Sequence, residues 1–133
     1  MVLLVLINLI TSQANAQCLK IIAITDGDTF KITIPHIPPV LGENLPVRLY
    51  GVDAPEMRAD RLCERLNAIE ARYFVKNLLD NSKCVTLYGM KRDKYFRIVG
   101  SVDADGVDLG AALIKKKLAV PYYGRKKPKW NCR

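Results

Sequence analysis

Five short β-type runs are interrupted once, by a single stretch of helical period. That alternation narrows the possible folds more than any other feature of the chain. The first run is Cys18 to Thr25 and the second Thr29 to Ile34. Asp26-Gly27 lies between them, a strong short-range hairpin signal. From Pro35 to Pro46 four prolines and one glycine predict a loop without regular structure. Val47 to Val52 is the third run. From about Ala59 to Asp80 the period lengthens, with Leu62, Leu66, Ile69, Tyr73, Phe74 and Leu78 at helical spacing. Arg61, Arg65, Glu70 and Lys76 lie mostly off that stripe, so a long amphipathic helix is predicted, ended by Asn81-Ser82. Cys84 to Met90 and Arg97 to Val102 are the fourth and fifth runs, joined by a charged turn from Lys91 to Phe96. Asp103 to Gly106 is a further turn. Asp108 then caps a short second helix through Lys117, with Leu109, Ala112, Leu113 and Leu118 facing inwards. Ala119 to Arg133 reads as irregular.

Five strands, a long helix between the third and fourth and a short helix after the fifth form the layout of a five-stranded OB-type barrel. The predicted class is therefore α+β dominated by β. Closing the sheet leaves little free strand edge, and such barrels commonly present a face to single-stranded nucleic acid. At 133 residues the chain is long enough for one such domain and its core.

Residues 1–16 stand apart. Residues 2–10 are apolar except Asn8, no charged side chain occurs through Ala16, and Ala14-Asn15-Ala16 has the small-residue spacing of a signal-peptidase site. The expectation is a signal peptide over 1–16, a mature domain over 17–133, and a secreted or periplasmic protein. A core strand or a membrane anchor are the alternatives, although the run is too short to span a bilayer as a helix. Cysteine usage agrees with export. Cys18, Cys63, Cys84 and Cys132 all follow the cleavage site, no Cys-x-x-Cys pair occurs and His36 is the sole histidine. Zinc and a histidine-based triad are thereby disfavoured, whereas two disulfides fit an oxidising compartment. Four cysteines allow three connectivities.

After Asp108 there is no acidic residue, while Lys115, Lys116, Lys117, Arg125, Lys126, Lys127, Lys129 and Arg133 match the whole net charge of +8. A one-signed end attracts polyanions, with nucleic acid first and anionic membrane second. Charges of both signs meet in Arg48-Leu49-Tyr50-Gly51-Val52-Asp53-Ala54-Pro55-Glu56. A strand there runs out into a loop that Pro55 stiffens. Asp28 past the first hairpin turn, Arg48, Asp53, Glu56 and Arg97 all fall at strand ends of one small barrel. Taken singly each is an ordinary polar residue; together they suit phosphodiester cleavage. A carboxylate takes the proton of water, while guanidiniums and a divalent cation neutralise charge on the phosphorus oxygens. Carboxylates without a nearby His or Cys favour a hard cation, Ca²⁺ or Mg²⁺.

Three segments carry a specific resemblance: Thr25-Asp26-Gly27-Asp28-Thr29, the Arg48–Glu56 stretch and Asp93-Lys94-Tyr95-Phe96-Arg97. In order, spacing and intervening helix they resemble the signature stretches of the thermonuclease (staphylococcal nuclease-like) family, over about Leu19 to Tyr123. The resemblance implies an OB-class phosphodiesterase acting on DNA and RNA with one Ca²⁺. Asp28 and Asp53 would bind the ion by their carboxylates and Ala54 by its carbonyl, Glu56 would be the general base, and Arg48 and Arg97 would grip the phosphate. Lys94 and Tyr95 would lie beside the nucleotide, with Tyr122 and Tyr123 in the place of base-stacking tyrosines at altered spacing. Two departures stand out. Phe96 and Lys117 occupy places where the family usually has glycine, and a positive φ there would cost on the order of 1 kcal/mol.

The same topology brings the first and fourth strands together, which implies a Cys18–Cys84 disulfide and leaves Cys63 for Cys132. The expected function is an exported, monomeric, calcium-dependent endonuclease of DNA or RNA, single-stranded or locally open, with little sequence specificity and no obligate protein partner. The alternative is an OB-fold nucleic-acid-binding module with weak or no catalysis.

Overall fold

The computed structural model describes residues 17–132, so the signal-peptide expectation for 1–16 lies outside the described residues. The principal sheet has the order β1-β2-β3-β6-β5 and curls into a half-barrel. Its strands are β1 (Lys20–Asp26), β2 (Thr29–Thr33), β3 (Leu45–Leu49), β5 (Val85–Arg92) and β6 (Ile98–Ala104). The predicted α+β, β-dominated OB-like architecture is the one observed. A two-residue strand β4 (Val52–Asp53) follows β3, and β7 (Val107–Asp108) pairs with β6. Phe30, Ile32, Val47, Val75, Val102, Leu109 and Leu113 fill the core.

Three local predictions are corrected. The third run is not one strand: Gly51 at φ 75° turns the chain between β3 and β4. Within the proline-rich loop, α1 (Pro39–Gly42) forms one helical turn, started by Pro39 at its first position. The tail is not wholly irregular, since β8 (Val120–Pro121) pairs antiparallel with β4.

The long helix α2 (Leu62–Asp80) is present, but of its predicted apolar stripe only Phe74 and Leu78 pack against the core. Leu62, Leu66, Ile69 and Tyr73 are exposed, while Ala68, Ala71, Val75 and Leu79 on the opposite face are buried. Small residues win because the helix lies very close to the β1–β2 turn. A Cβ added at Gly27 would stand 2.9 Å from the Ala71 Cβ and 3.2 Å from that of Ala54. Gly27 serves this close approach and not a positive φ. The short helix α3 (Leu109–Lys115) is capped as predicted, with the Asp108 carboxylate accepting from the Ala111 amide at 2.7 Å. Lys117, just beyond it, has φ 58°, the left-handed conformation that favours glycine.

Both disulfides join the expected partners, Cys18–Cys84 and Cys63–Cys132. The first lies at the seam between the outermost strands β1 and β5. There a backbone hydrogen bond, Leu19 N–H to the Val85 carbonyl at 2.8 Å, also crosses the gap.

Candidate active site at the end of the half-barrel

Strand pairing gathers the charges. Arg48 on β3 lies opposite Thr29 on β2, which places it beside the β1–β2 turn and Asp28. The Leu49 amide donates to the Asp28 carbonyl at 2.9 Å, and the Ala54 amide donates to Asp28 Oδ2 at 2.6 Å. The turn and the post-β4 loop are thus locked together. The Thr29 hydroxyl donates to Asp28 Oδ1 at 2.9 Å.

Arg48 joins the two aspartates. Its Nη1 is 2.8 Å from Asp28 Oδ2 and its Nη2 is 3.1 Å from Asp53 Oδ1. Asp28 and Asp53 are only 5 % and 2 % exposed. Burial pushes the Asp28 carboxyl above its ordinary range and the Asp53 charge adds to this. Arg48 and the Ala54 and Thr29 hydrogen bonds oppose them without prevailing. Asp28, Asp53 and Glu56 against Arg48 and Lys127 leave a surplus negative charge, which favours a cation.

The donor set fits a hard divalent ion. Arg48 and Lys127 both lie on Oδ1 of Asp53, so neither cation takes its Oδ2. Among the described residues no group of three or more His, Cys, Asp or Glu could hold a metal. The buried oxygen donors here are the Asp28 and Asp53 carboxylates, and a hard cation held by them would need further oxygens from backbone, water or substrate to complete its shell.

Glu56 projects from the loop beyond Pro55, and its side chain is 53 % exposed. The loop is held from below by Asp26, whose Oδ1 accepts from the Met57 amide at 2.8 Å. Burial raises the Asp26 carboxyl against that hydrogen bond, with Asp28 and Glu56 adding to the rise. A cleft of about 340 Å³ opens beside Asp53 and Glu56, with Lys127 and Trp130 of the tail on its wall. A larger cavity of about 660 Å³ shares Trp130 with this cleft, but none of Asp28, Arg48, Asp53, Glu56 or Arg97 lines it. The smaller cleft is bordered by Asp53 and Glu56, with Asp28 and Arg48 bonded to each other behind Asp53.

Arg97 stands apart from this group. Its Nε donates to Asp93 Oδ2 at 2.8 Å, and among the described residues it makes no ion pair with Asp28, Asp53 or Glu56. The parallel register of β3 with β6, Val47 against Ile98, puts it at the neighbouring strand's start. Phe96 does adopt φ 60°. The turn holds it there: Phe96 N–H donates to the Asp93 carbonyl, Asp93 N–H to the Arg97 carbonyl, and the Tyr95 and Arg97 amides to Asp93 Oδ1. Burial works against the Asp93 charge, but these amides and the Arg97 guanidinium hold its carboxyl below the usual range. The surrounding bonds over-determine the strained residue, so Arg97 keeps its bond to Asp93 despite Phe96. We predict that Phe96→Gly raises stability by about 1 kcal/mol, read as a higher urea midpoint at unchanged slope. A lower midpoint would show that the exposed phenyl ring contributes more than the φ strain costs.

The Tyr95 ring carries the Lys94 ammonium 5.1 Å and the Arg97 guanidinium 5.4 Å from its centroid. Tyr122 N–H donates to the Gly51 carbonyl at 2.9 Å. Tyr123 packs edge-on to Tyr50, centroids 5.7 Å apart, against Gly51, where a Cβ would lie 3.1 Å from its ring.

Three functional candidates were not singled out by the sequence. Asp26 reads as half of a hairpin dipeptide, and Asp93 reads as turn charge. Lys127 is one cation among eight until the tail is placed. Its Nζ pairs with Glu56 Oε1 and lies 3.6 Å from Asp53 Oδ1. Burial works against the Lys127 ammonium, yet its bond to Glu56 and the charge of Asp53 hold its pKa above the usual value.

The family model described as staphylococcal nuclease homologue matches residues 46–131. A probable endonuclease of Schizosaccharomyces pombe is 37% identical over 89 residues, covering 62% of this chain and 38% of that protein. The probable endonuclease LCL3 of Podospora anserina is 29% identical over 125 residues, covering 77% and 45%. An uncharacterized protein of Bacillus anthracis is 28% identical over 106 residues, covering 78% and 47%. The chain spans less than half the length of these relatives.

Proposed function

The chain belongs to the staphylococcal nuclease homologue family, and from that premise we propose that it is a calcium-dependent endonuclease cleaving DNA or RNA with little sequence specificity. The observation that carries this reading is the interlocked set at one barrel end. Arg48 bridges two buried aspartates there, with Glu56 three residues beyond Asp53 and open to solvent. A calcium ion on Asp28, Asp53 and the Ala54 carbonyl would supply positive charge toward the phosphate and its leaving oxygen.

The remaining steps belong to the chain's own side chains. Glu56 accepts the proton of the attacking water, for which an exposed carboxylate in a stiffened loop is suited. Arg48 presents its guanidinium to the phosphate oxygens, one of which replaces a carboxylate contact as substrate arrives. Arg97, anchored by Asp93, closes on the phosphate from the neighbouring strand. Lys94 and Tyr95 lie beside it for the flanking nucleotide, and Tyr122 and Tyr123 offer ring faces to bases, a sequence-tolerant form of binding. The basic tail draws in the polyanion. Export to an oxidising compartment is part of the proposal, supported by the two disulfides.

The test is digestion of single-stranded DNA and of RNA with Ca²⁺ or with chelator, by the native protein and by Glu56→Gln. Digestion is expected only with Ca²⁺. Glu56→Gln is expected to lose a factor of about 10² or more in kcat. Digestion that persists in chelator, or at an equal rate in the variant, would overturn the mechanism. Binding without digestion under every condition would favour the non-catalytic OB module.

A further inference from the structure

Glu56 has a surprising neighbour for a proposed base. Its carboxylate is bonded to the ammonium of a residue 71 positions away, on a segment with no regular structure. Both side chains are about half exposed, 53% for Glu56 and 55% for Lys127. An untethered pair of this kind contributes little, because two mobile side chains must be ordered in high dielectric.

This pair is tethered. Five residues beyond Lys127, Cys132 is bonded to Cys63 at the start of α2, a sequence separation of 69. Arg61 adds two contacts to the same segment, Nη1 to the Trp130 carbonyl at 2.9 Å and Nη2 to Cys132 Sγ at 2.7 Å. On its other side the segment leaves β8, which is paired to β4 next to Asp53. Residues 122–131 are therefore a strap fixed at both ends, with Lys127 near its middle. A strap fixed at both ends raises the effective concentration of the ammonium at Glu56 and removes most of the entropic cost of pairing.

We propose that Lys127 is a positioning residue for Glu56, and that the Cys63–Cys132 disulfide is what holds it in place. The inference rests on the reading of Glu56 as the base. Lys127 takes Oε1 of Glu56 and leaves Oε2 for the water. Apart from Lys127, the Glu56 carboxylate has no hydrogen-bond or ion-pair partner among the described residues, so without it the base rotates freely about its side-chain bonds. Rate depends steeply on such placement. Lys127 does not touch the phosphate in this scheme; it acts through Glu56.

The experiment measures kcat and KM on single-stranded DNA with Ca²⁺. The proteins are the native chain, Lys127→Met, Lys127→Arg, the Cys63→Ser/Cys132→Ser pair, Glu56→Gln, and Glu56→Gln combined with Lys127→Met. Lys127→Met is expected to lose about ten- to a hundredfold in kcat, with a much smaller change in KM. Lys127→Arg recovers most of that loss. The cysteine pair falls in kcat as Lys127→Met does while keeping a native circular dichroism spectrum. In the Glu56→Gln background Lys127→Met costs nothing further, because two residues acting as a unit are not additive.

An unchanged or higher kcat in Lys127→Met would overturn the proposal, the higher value marking the strap as an inhibitory contact. A loss confined to KM would also overturn it and make Lys127 a phosphate ligand. Equal losses in the native and Glu56→Gln backgrounds would do the same. If Glu56→Gln itself retains full kcat, the reading of Glu56 as base fails, and that outcome is distinct from a failure at Lys127 alone.

Discussion

Arg48→Met is expected to lower the unfolding free energy by about 3 to 5 kcal/mol and to abolish measurable cleavage. The stability part follows from desolvation. The Arg48 side chain is 13% exposed, and the side chains of its partners Asp28 and Asp53 are 6% and 3% exposed. Methionine fills similar volume but leaves the two buried carboxylates with only the half-exposed Lys127 ammonium, 3.6 Å from Asp53 Oδ1, as counter-charge. Removing one partner of a buried pair exposes the full cost of the other. Against a total of about 5 to 15 kcal/mol for a domain of this size, that is a large share. Urea unfolding measures the loss. Combining Arg48→Met with Asp28→Asn is the informative second variant. It removes a charge of each sign and is expected to return a substantial part of the stability while cleavage stays absent. A loss below about 1 kcal/mol in the single variant would mean that the trio behaves like an exposed salt bridge. Its carboxylates would then be too well hydrated to carry the proposed electrostatics.

The reason Arg48 can be singled out at all lies in which interactions a sequence records. Asp28, Arg48, Asp53 and Glu56 sit at ends of runs whose order already implies a barrel, so their convergence is readable from strand order and turn chemistry. The helix between them is different. Periodicity places Leu62, Leu66, Ile69 and Tyr73 on one stripe, but nothing in a period says which face the sheet will take. The close approach at Gly27 suits alanine at position 71, so the face carrying Ala68, Ala71, Val75 and Leu79 packs while Leu62, Leu66, Ile69 and Tyr73 face outwards. Gly51 hides a chain reversal inside what reads as a continuous strand. Lys127 is illegible for a plainer reason. Eight tail cations are equivalent in sequence, and the choice of one is made by a disulfide and by the β4–β8 pairing. Short-range chemistry is thus visible in the residues, while contacts chosen by long-range closure are not.

The two disulfides turn that distinction into a measurable difference. They close loops of almost equal length, with sequence separations of 66 and 69. If constraint of the unfolded chain were the whole effect, each would stabilise by about 4 kcal/mol. Their native environments differ. Cys18–Cys84 joins the two outermost strands of the half-barrel, next to the Leu19–Val85 hydrogen bond. Without it the folded barrel must still hold that seam in nearly the same geometry, so the native state gains little freedom to offset the loss. Cys63–Cys132 instead ties down an irregular strap, and without it the strap frays while the barrel stays folded. The freedom gained in the native state cancels much of the constraint lost from the unfolded one. Replacing Cys18 and Cys84 together with alanine is therefore expected to cost about 3 to 5 kcal/mol, and the Cys63/Cys132 pair less than half of that. Paired urea melts test the ratio, and hydrogen exchange at the Leu19 amide tests its cause, since in the folded Cys18/Cys84 variant that amide should still exchange only by global unfolding. Equal losses from the two pairs would mean that the strap is as firmly built into the fold as the barrel seam. Glu56 would then be held by a rigid wall instead of a tethered chain.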